Sequence, residues 1–309
     1  MASIQARIAV LLVKWRVKRR LRGVRDYREA RRILRPDPSY HVPSSVRISP
    51  AELNGVPGEW LEGPKPSNSI LLYLHGGGYF GCSAETHRGI TASFALERFR
   101  VFSADYRLAP EHRYPAALED AVAVYRGLLA AGNSPASMVV AGDSAGGGLA
   151  LCMLVSLRES GVPLPAAAAL FSPWTDLAAT GESVRTNARR CAMFNAPDIA
   201  PSARYYLGKL PLDTPLASPL YADLMGLPPL LIHVGEDEIL RDDSTRLAER
   251  ARAAGVSVKL KIWPVVPHVW QLAPHKIPEA RQSLRETSSF LRSQLVRAEQ
   301  GSVKLPANT

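Results

Sequence analysis

The feature that most constrains the fold of this chain is an alternation of short apolar runs with longer helical patterns, which begins after Pro36-Asp37-Pro38. The apolar runs are Ile70–Leu74, Val101–Ala104, Met138–Ala141, Ala166–Phe171, Leu230–Val234 and Val258–Trp263. The helical patterns lie near Thr86–Arg98, Pro115–Ala131, Ala145–Glu159, Asp242–Ala254 and Glu279–Glu299. Such alternation is typical of an α/β fold in which helices cover both faces of a mostly parallel sheet. Two earlier runs, Val46–Ile48 and Glu59–Leu61, predict antiparallel strands at one edge of that sheet.

A stretch from about Thr180 to Tyr221 interrupts the alternation. It is rich in proline and contains no clear strand. An insertion of that length in an α/β domain is usually functional. We therefore assign residues 41–179 and 222–299 to the core, residues 180–221 to an insertion, and residues 300–309 to a disordered tail.

The net charge of +10 comes from one segment. Residues 1–35 contain twelve lysine and arginine residues and two acidic ones, whereas the rest of the chain contains 26 residues of each sign. Because the body is neutral and no basic patch with interleaved aromatic residues occurs there, no nucleic-acid partner is expected.

The basic segment also has helical periodicity. Its apolar residues recur at three- and four-residue steps, at Val10, Val13, Val17, Leu21, Val24 and Tyr27. A surface helix whose apolar stripe packs on the body accounts for this pattern. The alternative is a basic amphipathic helix that contacts an anionic membrane or an acidic partner.

The chain is predicted to be soluble and cytoplasmic. No apolar run approaches the roughly 18–20 residues that span a bilayer. The short apolar run Ile8–Val13 is followed by positive charge, whereas a secretory signal has its positive charge first. The three widely spaced cysteines, Cys82, Cys152 and Cys191, indicate neither a disulfide framework nor a metal site, and fit a reducing compartment.

Gly142-Asp143-Ser144-Ala145-Gly146 fits the pattern G-x-S-x-G. A predicted strand precedes it and a predicted helix follows. A strand, a sharp turn and a helix form a nucleophile elbow, in which the serine hydroxyl is exposed at the helix N-terminus. The glycines permit the strained backbone and the close approach of neighbouring segments. Ser144 is therefore the candidate nucleophile, and a glycine-rich turn without chemistry is the alternative.

His75-Gly76-Gly77-Gly78-Tyr79 follows the predicted strand Ile70–Leu74. Successive glycines let backbone N–H groups point into a cavity, as a tetrahedral oxyanion requires. We predict that the N–H groups of Gly76, Gly77 and Ala145 form an oxyanion hole. A phosphate loop is excluded, because neither the lysine-serine/threonine ending nor the dinucleotide spacing is present. His75 is interpreted as a structural hydrogen-bonding residue.

The candidate base comes from seven histidines: His41, His75, His87, His112, His233, His268 and His275. His233 lies within an apolar run, which indicates a core residue. His268 lies in a loop just past the run that ends at Trp263, which is the position of the base in folds with a nucleophile elbow. His268 is therefore the predicted base, and His275 is the alternative.

Taken together, several stretches resemble one family, the bacterial hormone-sensitive-lipase-like esterases of the α/β-hydrolase superfamily. These stretches are His75-Gly76-Gly77-Gly78, Asp105-Tyr106-Arg107-Leu108-Ala109-Pro110-Glu111, Pro115-Ala116-Ala117-Leu118-Glu119-Asp120, Gly142-Asp143-Ser144-Ala145-Gly146, Ser172-Pro173-Trp174-Thr175-Asp176, Leu227-Pro228-Pro229 and His268. They occur in the family's order across about residues 40–295.

The resemblance implies a carboxylic-ester hydrolase with a serine–histidine–acid triad and neither metal nor cofactor. It also implies a helical cap built from residues 1–40 and 180–221, which limits substrates to short- and medium-chain acyl esters. A homodimer is compatible with the resemblance. Asp105 and Arg107 would support the oxyanion loop.

The predicted acid loop departs from the family's usual Asp-Pro-Leu-x-Asp-Glu. The stretch Gly235–Asp243 reads GEDEILRDD, and a gapless alignment from Leu227-Pro228-Pro229 puts the triad acid at Glu238. Asp237 keeps the usual residue type but shifts the register by one position. A glutamate can also orient the imidazole and stabilise the imidazolium, so Glu238 is preferred. Asp242 and Asp243 are predicted to cap the next helix.

We therefore expect His268 to take the proton of Ser144 as the serine attacks an ester carbonyl. Water would then hydrolyse the acyl-enzyme through the same base. The nearest alternative is an amidase or lactonase with the same triad. A non-catalytic receptor for a small ligand on the same fold is the alternative from another class.

Overall fold

The computed structural model describes residues 2–34 and 42–303. The strands are β1 (Arg47–Leu53), β2 (Val56–Glu62), β3 (Ile70–Leu74), β4 (Arg100–Ala104), β5 (Met138–Asp143), β6 (Ala167–Phe171), β7 (Leu230–Gly235) and β8 (Val258–Trp263). They form one sheet in the order β1-β2-β4-β3-β5-β6-β7-β8. The β1–β2 and β2–β4 pairs are antiparallel, and the other pairs are parallel. The predicted mostly parallel α/β fold with an antiparallel edge is confirmed.

The helices of the described residues are α1 (Ile4–Val13), α2 (Arg19–Leu21), α3 (Tyr27–Leu34), α4 (Arg88–Leu96), α5 (Ala116–Ala130), α6 (Ser144–Glu159), α7 (Glu182–Thr186), α8 (Ala196–Leu207), α9 (Arg241–Ala253) and α10 (Pro278–Val303). A π-helical turn, Lys14–Lys18, joins α1 to α2. None of these helices combines the length and the apolar character needed to cross a bilayer.

The core lies on both faces of the sheet because the central strands are mostly apolar and are buried along their whole length. Every residue of β3, β5, β6 and β7 is buried. Alternate side chains of β3 enter opposite layers: Leu72 packs in the layer that contains α5, α6 and α9, and Leu71 in the layer that contains α4 and α10. The carboxyl ends of these parallel strands therefore meet at one edge of the sheet, where their loops can share a site.

The N-terminal segment differs in part from the predicted single helix. The helix that starts at Ile4 ends at Leu21, and α3 begins at Tyr27 after a break. The predicted apolar stripe does face the body: Val10, Val13 and Val17 are half-buried, and the later members of the stripe pack on the main core. The surface-helix interpretation therefore describes this face correctly, while the segment itself is two helices rather than one.

The first residues of the predicted disordered tail are helical. Helix α10 extends to Val303, so residues 300–303 are helical rather than disordered. Residues 304–309, together with Met1, residues 35–40 and the candidate His41, lie outside the described residues.

Glycine at position 146 is required by the fold. A Cβ atom there would lie 2.1 Å from the Leu74 carbonyl oxygen and 2.3 Å from that of His75, both backbone atoms at the end of β3. We expect Gly146→Ala to lower the free energy of unfolding by about 3 kcal/mol, since the sheet and α6 would have to separate. Urea unfolding followed by circular dichroism measures the change.

Gly81→Ala is the matched control, because its Cβ would meet no atom closer than 3.5 Å. We expect a change within about 1 kcal/mol for this variant. Equal stability of the two variants would show that the approach of α6 to β3 does not constrain the fold.

Candidate active site

The predicted elbow is present, with Ser144 at its turn. Ser144 is the first residue of α6 and directly follows β5. Its φ of 51° lies in the left-handed region, which is strained for a residue with a side chain. At Gly142, two residues before the serine, a Cβ would lie 2.4 Å from the Gly146 carbonyl oxygen, so this glycine is also required. The sharp turn therefore depends on the glycines of the G-x-S-x-G pattern from which it was predicted.

Ser144 and His268 line the same cavity, whose volume is about 120 Å³. Helices of the N-terminal segment and of the insertion form its roof. The roof residues that line it include Leu21, Val24, Leu34, Phe194, Ile199 and Tyr205. The wall is therefore mainly apolar around a small number of polar groups, as expected of a small-molecule site.

His268 is hydrogen-bonded to Glu238. Its Nδ1 lies 2.5 Å from Glu238 Oε2, and both side chains are only 3% exposed. Because the carboxylate accepts, Nδ1 carries the proton and Nε2 is the basic nitrogen. Nε2 is buried and has no hydrogen-bond partner among the residues that the structure describes. The ring is therefore oriented on one side and available to a reactant on the other.

The second oxygen of Glu238 is also held. Oε1 accepts hydrogen bonds from Ser172 Oγ at 2.7 Å and from the Gly235 N–H at 2.6 Å. Ser172 belongs to the Ser172–Asp176 motif, for which the sequence analysis assigned no role. A carboxylate with fixed partners on both oxygens has one orientation, so the position of the His268 ring is determined by the loop after β7.

The other candidates for the acid and the base do not take part in this contact. Asp237 forms an ion pair with Arg190 at 3.2 Å, with 32% of its own side chain exposed. His275 is exposed. His233 is buried, bonded to Ser283 Oγ at 2.8 Å, and burial lowers its pKa to about 3, as expected of a neutral core histidine.

The predicted oxyanion hole is wrong at Gly76. Its N–H donates to Asp143 Oδ1 at 3.0 Å and is therefore not available to a ligand. Gly77 and Gly78 line the cavity, with φ values of 116° and 65° that favour glycine. Among the described residues, none accepts a hydrogen bond from the N–H group of Gly77 or Gly78. The Ala145 N–H lies in the first turn of α6, where N–H groups lack helical acceptors.

A buried carboxylate without a predicted role, that of Asp143, holds the glycine loop that begins at Gly76. Asp143 accepts hydrogen bonds from Tyr73 OH at 2.7 Å and from the Gly76 N–H, and lies 3.3 Å from His87 Nε2. Burial alone would raise the pKa of Asp143, but the nearby His87 and the hydrogen bond from Tyr73 hold this pKa below its usual value. The sequence contains a signal for this role, because a carboxylate at the end of a buried strand requires buried partners.

His75 has the structural role that was predicted. Its ring stacks on Tyr106 with centroids 4.3 Å apart, and Nδ1 lies 2.7 Å from the Gly76 carbonyl oxygen. Burial and the neighbouring His87 lower the pKa of His75 to about 3, so the ring is neutral. His75 thus supports the loop without adding charge to it.

Asp242 and Asp243 do not cap their own helix as predicted. Asp242 accepts a hydrogen bond from the Ser183 N–H at 2.7 Å, and Asp243 accepts from the N–H groups of Thr175 and Asp176 at 2.8 Å each. Burial raises the pKa of Asp243 to about 8. Both carboxylates therefore connect α9 to the segments that follow β6.

The N-terminal segment and the insertion each contact a loop of the site. Arg31 on α3 donates to the carbonyl oxygen of Phe80, just after the oxyanion loop, and pairs with Glu111 at 2.6 Å. From the insertion, Asn187 Nδ2 donates to the carbonyl oxygen of Glu238 at 2.8 Å. The two roof segments therefore support both the oxyanion loop and the acid loop.

Comparison with known proteins connects this geometry to esterases. A family model described as the alpha/beta hydrolase fold matches residues 71–272. An acetyl-hydrolase from Streptomyces hygroscopicus is 43% identical over 236 residues, which cover 76% of this chain and 79% of that protein. An esterase from Acinetobacter venetianus is 36% identical over 251 residues, or 81% of this chain and 83% of that protein.

Comparison with crystal structures also finds similarity to esterases. An esterase from the bacterial hormone-sensitive lipase family is 41% identical with a TM-score of 0.87, and the match covers 96% of this chain and 99% of that one. The structure of EstE5 soaked with p-nitrophenyl butyrate is 37% identical with a TM-score of 0.90, and the match covers 96% of this chain and all of that one.

The contacts of the two neighbouring carboxylates generate a direct test. We expect Glu238→Ala to reduce the rate of p-nitrophenyl butyrate hydrolysis about 10³- to 10⁴-fold, because the His268 ring loses its orienting partner. Asp237→Ala, which removes only a surface ion pair, should stay within about tenfold of the wild type. Ser144→Ala serves as the blank. A larger loss in Asp237→Ala than in Glu238→Ala would move the acid by one residue.

Proposed function

The chain belongs to the bacterial hormone-sensitive-lipase family of α/β-hydrolase esterases, and we infer that it hydrolyses carboxylic esters as a serine carboxylesterase. The catalytic residues that we propose are Ser144, His268 and Glu238. The contact that carries this proposal is the hydrogen bond of 2.5 Å between Glu238 and His268, in a cavity that also contains Ser144.

In the proposed mechanism, His268 Nε2 takes the proton of Ser144 Oγ while the oxygen attacks the ester carbonyl. Glu238 holds the Nδ1–H tautomer and stabilises the imidazolium that forms. The protonated His268 then gives its proton to the leaving alcohol. Water, activated by the same nitrogen, hydrolyses the acyl-enzyme and restores the serine.

The negative charge that develops on the carbonyl oxygen is proposed to meet the N–H groups of Gly77, Gly78 and Ala145. The contact between Gly76 and Asp143 supports this revision, because it holds the start of the loop while leaving the next two N–H groups without acceptors. Donors fixed before the reaction stabilise an oxyanion without reorganising, which is the largest single contribution in many such enzymes.

Short- and medium-chain acyl esters are the proposed substrates. The cavity of about 120 Å³ is small beside the roughly 300–1,000 Å³ of pockets that hold drug-sized ligands. We also propose that residues 1–40 and 180–221 act as a cap. Contacts between the two segments support this, among them the hydrogen bond of 2.6 Å from Tyr205 OH to the Arg25 carbonyl oxygen.

Three further properties remain proposals. A cytoplasmic location is supported by the free thiols of Cys82, Cys152 and Cys191. A homodimer is supported by β8, which is an edge strand of the sheet and could pair with a strand of a second copy. Weak contact with an anionic membrane is supported by the basic N-terminal segment. Light scattering of the purified protein tests the dimer directly.

The acyl limit can be tested with a series of p-nitrophenyl esters. We expect kcat/KM to be highest for acyl chains of about four to eight carbons and at least about 100-fold lower for palmitate, because longer chains exceed the cavity. An amide of the same acyl group should react far more slowly. Equal kcat/KM for butyrate and palmitate would contradict a closed acyl site.

A variant of Ile199 on α8 tests whether the roof of the cavity sets this limit on acyl-chain length. It is buried in the roof of the cavity, so Ile199→Ala should raise the ratio of octanoate to butyrate kcat/KM at least about threefold. Leu210→Ala is the control, because Leu210 lies in the same insertion but is exposed. An unchanged ratio in Ile199→Ala would show that α8 does not limit the acyl chain.

A further inference from the structure

The N-terminal helix has a second apolar face, directed away from the body. Eleven large apolar side chains are exposed within the described part of the chain, and five of them lie in the first four turns of this helix. They are Ile4, Ile8, Leu11, Leu12 and Trp15, and their exposed fractions range from 48% for Leu12 to 73% for Ile4. Ile4, Ile8, Leu11 and Trp15 follow one another at steps of three or four residues, and Leu12 lies four residues after Ile8, so all five lie on one side of the helix. We call these five residues the outer stripe.

The outer stripe is exposed because the opposite face is firmly attached. Ser3 bonds to Glu279 through its N–H at 2.6 Å and its hydroxyl at 2.8 Å. Ala6 is fully buried in a cluster with Trp263 and Trp270. The helix therefore cannot rotate to bury the stripe without breaking these contacts.

The other end of the helix is attached as well. Lys18 Nζ donates to the carbonyl oxygens of Ala188 and Cys191, at 2.7 and 2.8 Å, in the insertion. Asn195 donates to the carbonyl oxygen of Lys18 at 3.2 Å. With both ends attached, the outer stripe is a fixed apolar ridge on the surface of the protein. An exposed apolar patch of this kind marks an interaction site.

The charge around the stripe identifies the partner. Residues 2–25 contain eight lysine and arginine residues and no acidic one. Arg7 and Arg16 are exposed along the stripe, and Arg19, Arg20 and Arg22 are exposed just beyond Trp15. Two copies of the chain that met through this face would bring like charges together. An anionic lipid surface would instead attract each cation and accept the apolar side chains between them.

We propose that the outer stripe inserts into the interface of an anionic membrane, with the helix lying in the plane of the surface. Trp15 would lie at the level of the headgroups, where indole rings are favoured, and the arginines beyond it would bind lipid phosphates. This proposal rests on the weak anionic-membrane contact proposed for the N-terminal segment. It adds a defined set of inserting residues and a hydrophobic contribution that salt does not screen.

Flotation with lipid vesicles tests the proposal on the full chain. The probes are vesicles of phosphatidylcholine with or without phosphatidylglycerol. We expect binding to the anionic vesicles with a blue shift of tryptophan emission that is lost in Trp15→Phe. About 1 M NaCl, where the Debye length is about 3 Å, should weaken this binding without abolishing it.

The decisive comparison uses two triple variants. Ile8→Ser/Leu11→Ser/Trp15→Ser removes the centre of the outer stripe, and Leu210→Ser/Met225→Ser/Val296→Ser removes three exposed apolar residues elsewhere. We expect the first to lower the partition coefficient at least about tenfold and the second to stay within about twofold. Hydrolysis of soluble p-nitrophenyl butyrate should be unchanged in both, which shows that they fold and separates this test from that of the esterase.

Three results would overturn the proposal. One is the absence of binding to anionic vesicles by the wild type. Another is equal partitioning of the two triple variants. The third is a concentration-dependent dimer, seen by sedimentation without lipid, that only the stripe variant loses, since this would assign the stripe to a second copy of the chain.

Discussion

The buried carboxylate of Asp143 is the interaction on which the geometry of the site depends. A charge without water around it is stable only with close partners, and here these are Tyr73, His87 and the Gly76 N–H. Tyr73 lies on β3, Gly76 begins the loop after β3, and Asp143 ends β5. One side chain therefore connects two neighbouring strand ends. The glycine loop is thereby held at the cavity, which Gly77, Gly78 and Ser144 all line.

A second buried carboxylate, that of Glu238, fixes the position of His268 in the same way, through hydrogen bonds to close partners. Glu238 is buried and uses both oxygens, one for His268 and the other for Ser172 and Gly235. Asp237, its neighbour, lies at the surface with Arg190. Adjacent residues of one acidic loop thus have different environments, because the turn after β7 directs one side chain inward and the next outward. Asp242 and Asp243, farther along the chain, connect α9 to the segments after β6.

The two segments proposed to form the cap contact both halves of the site. Arg31 contacts the loop after the glycines, and Asn187 contacts the acid loop, while the same segments carry the apolar residues above Ser144. A change at a residue of either segment that lines the cavity or contacts these loops would thus alter the shape of the cavity and the support of the loops together. The outer stripe lies on the far side of the N-terminal helix, so a lipid contact there need not compete with these attachments.

Most of the fold, and the candidates Ser144 and His268, could be predicted from the sequence alone, because they depend on local patterns. Apolar runs of β length, a G-x-S-x-G turn between strand and helix, and a histidine after a late strand are all readable over a few residues. The sequence alone ranked Glu238 above Asp237 only by alignment with a family. Tertiary packing decided which of these carboxylates meets a ring thirty positions later, and also assigned the Gly76 N–H to Asp143 instead of the oxyanion. It likewise decided which of two apolar faces of the first helix is covered. Each of these outcomes depends on residues far apart in the chain, whose contacts no local pattern contains.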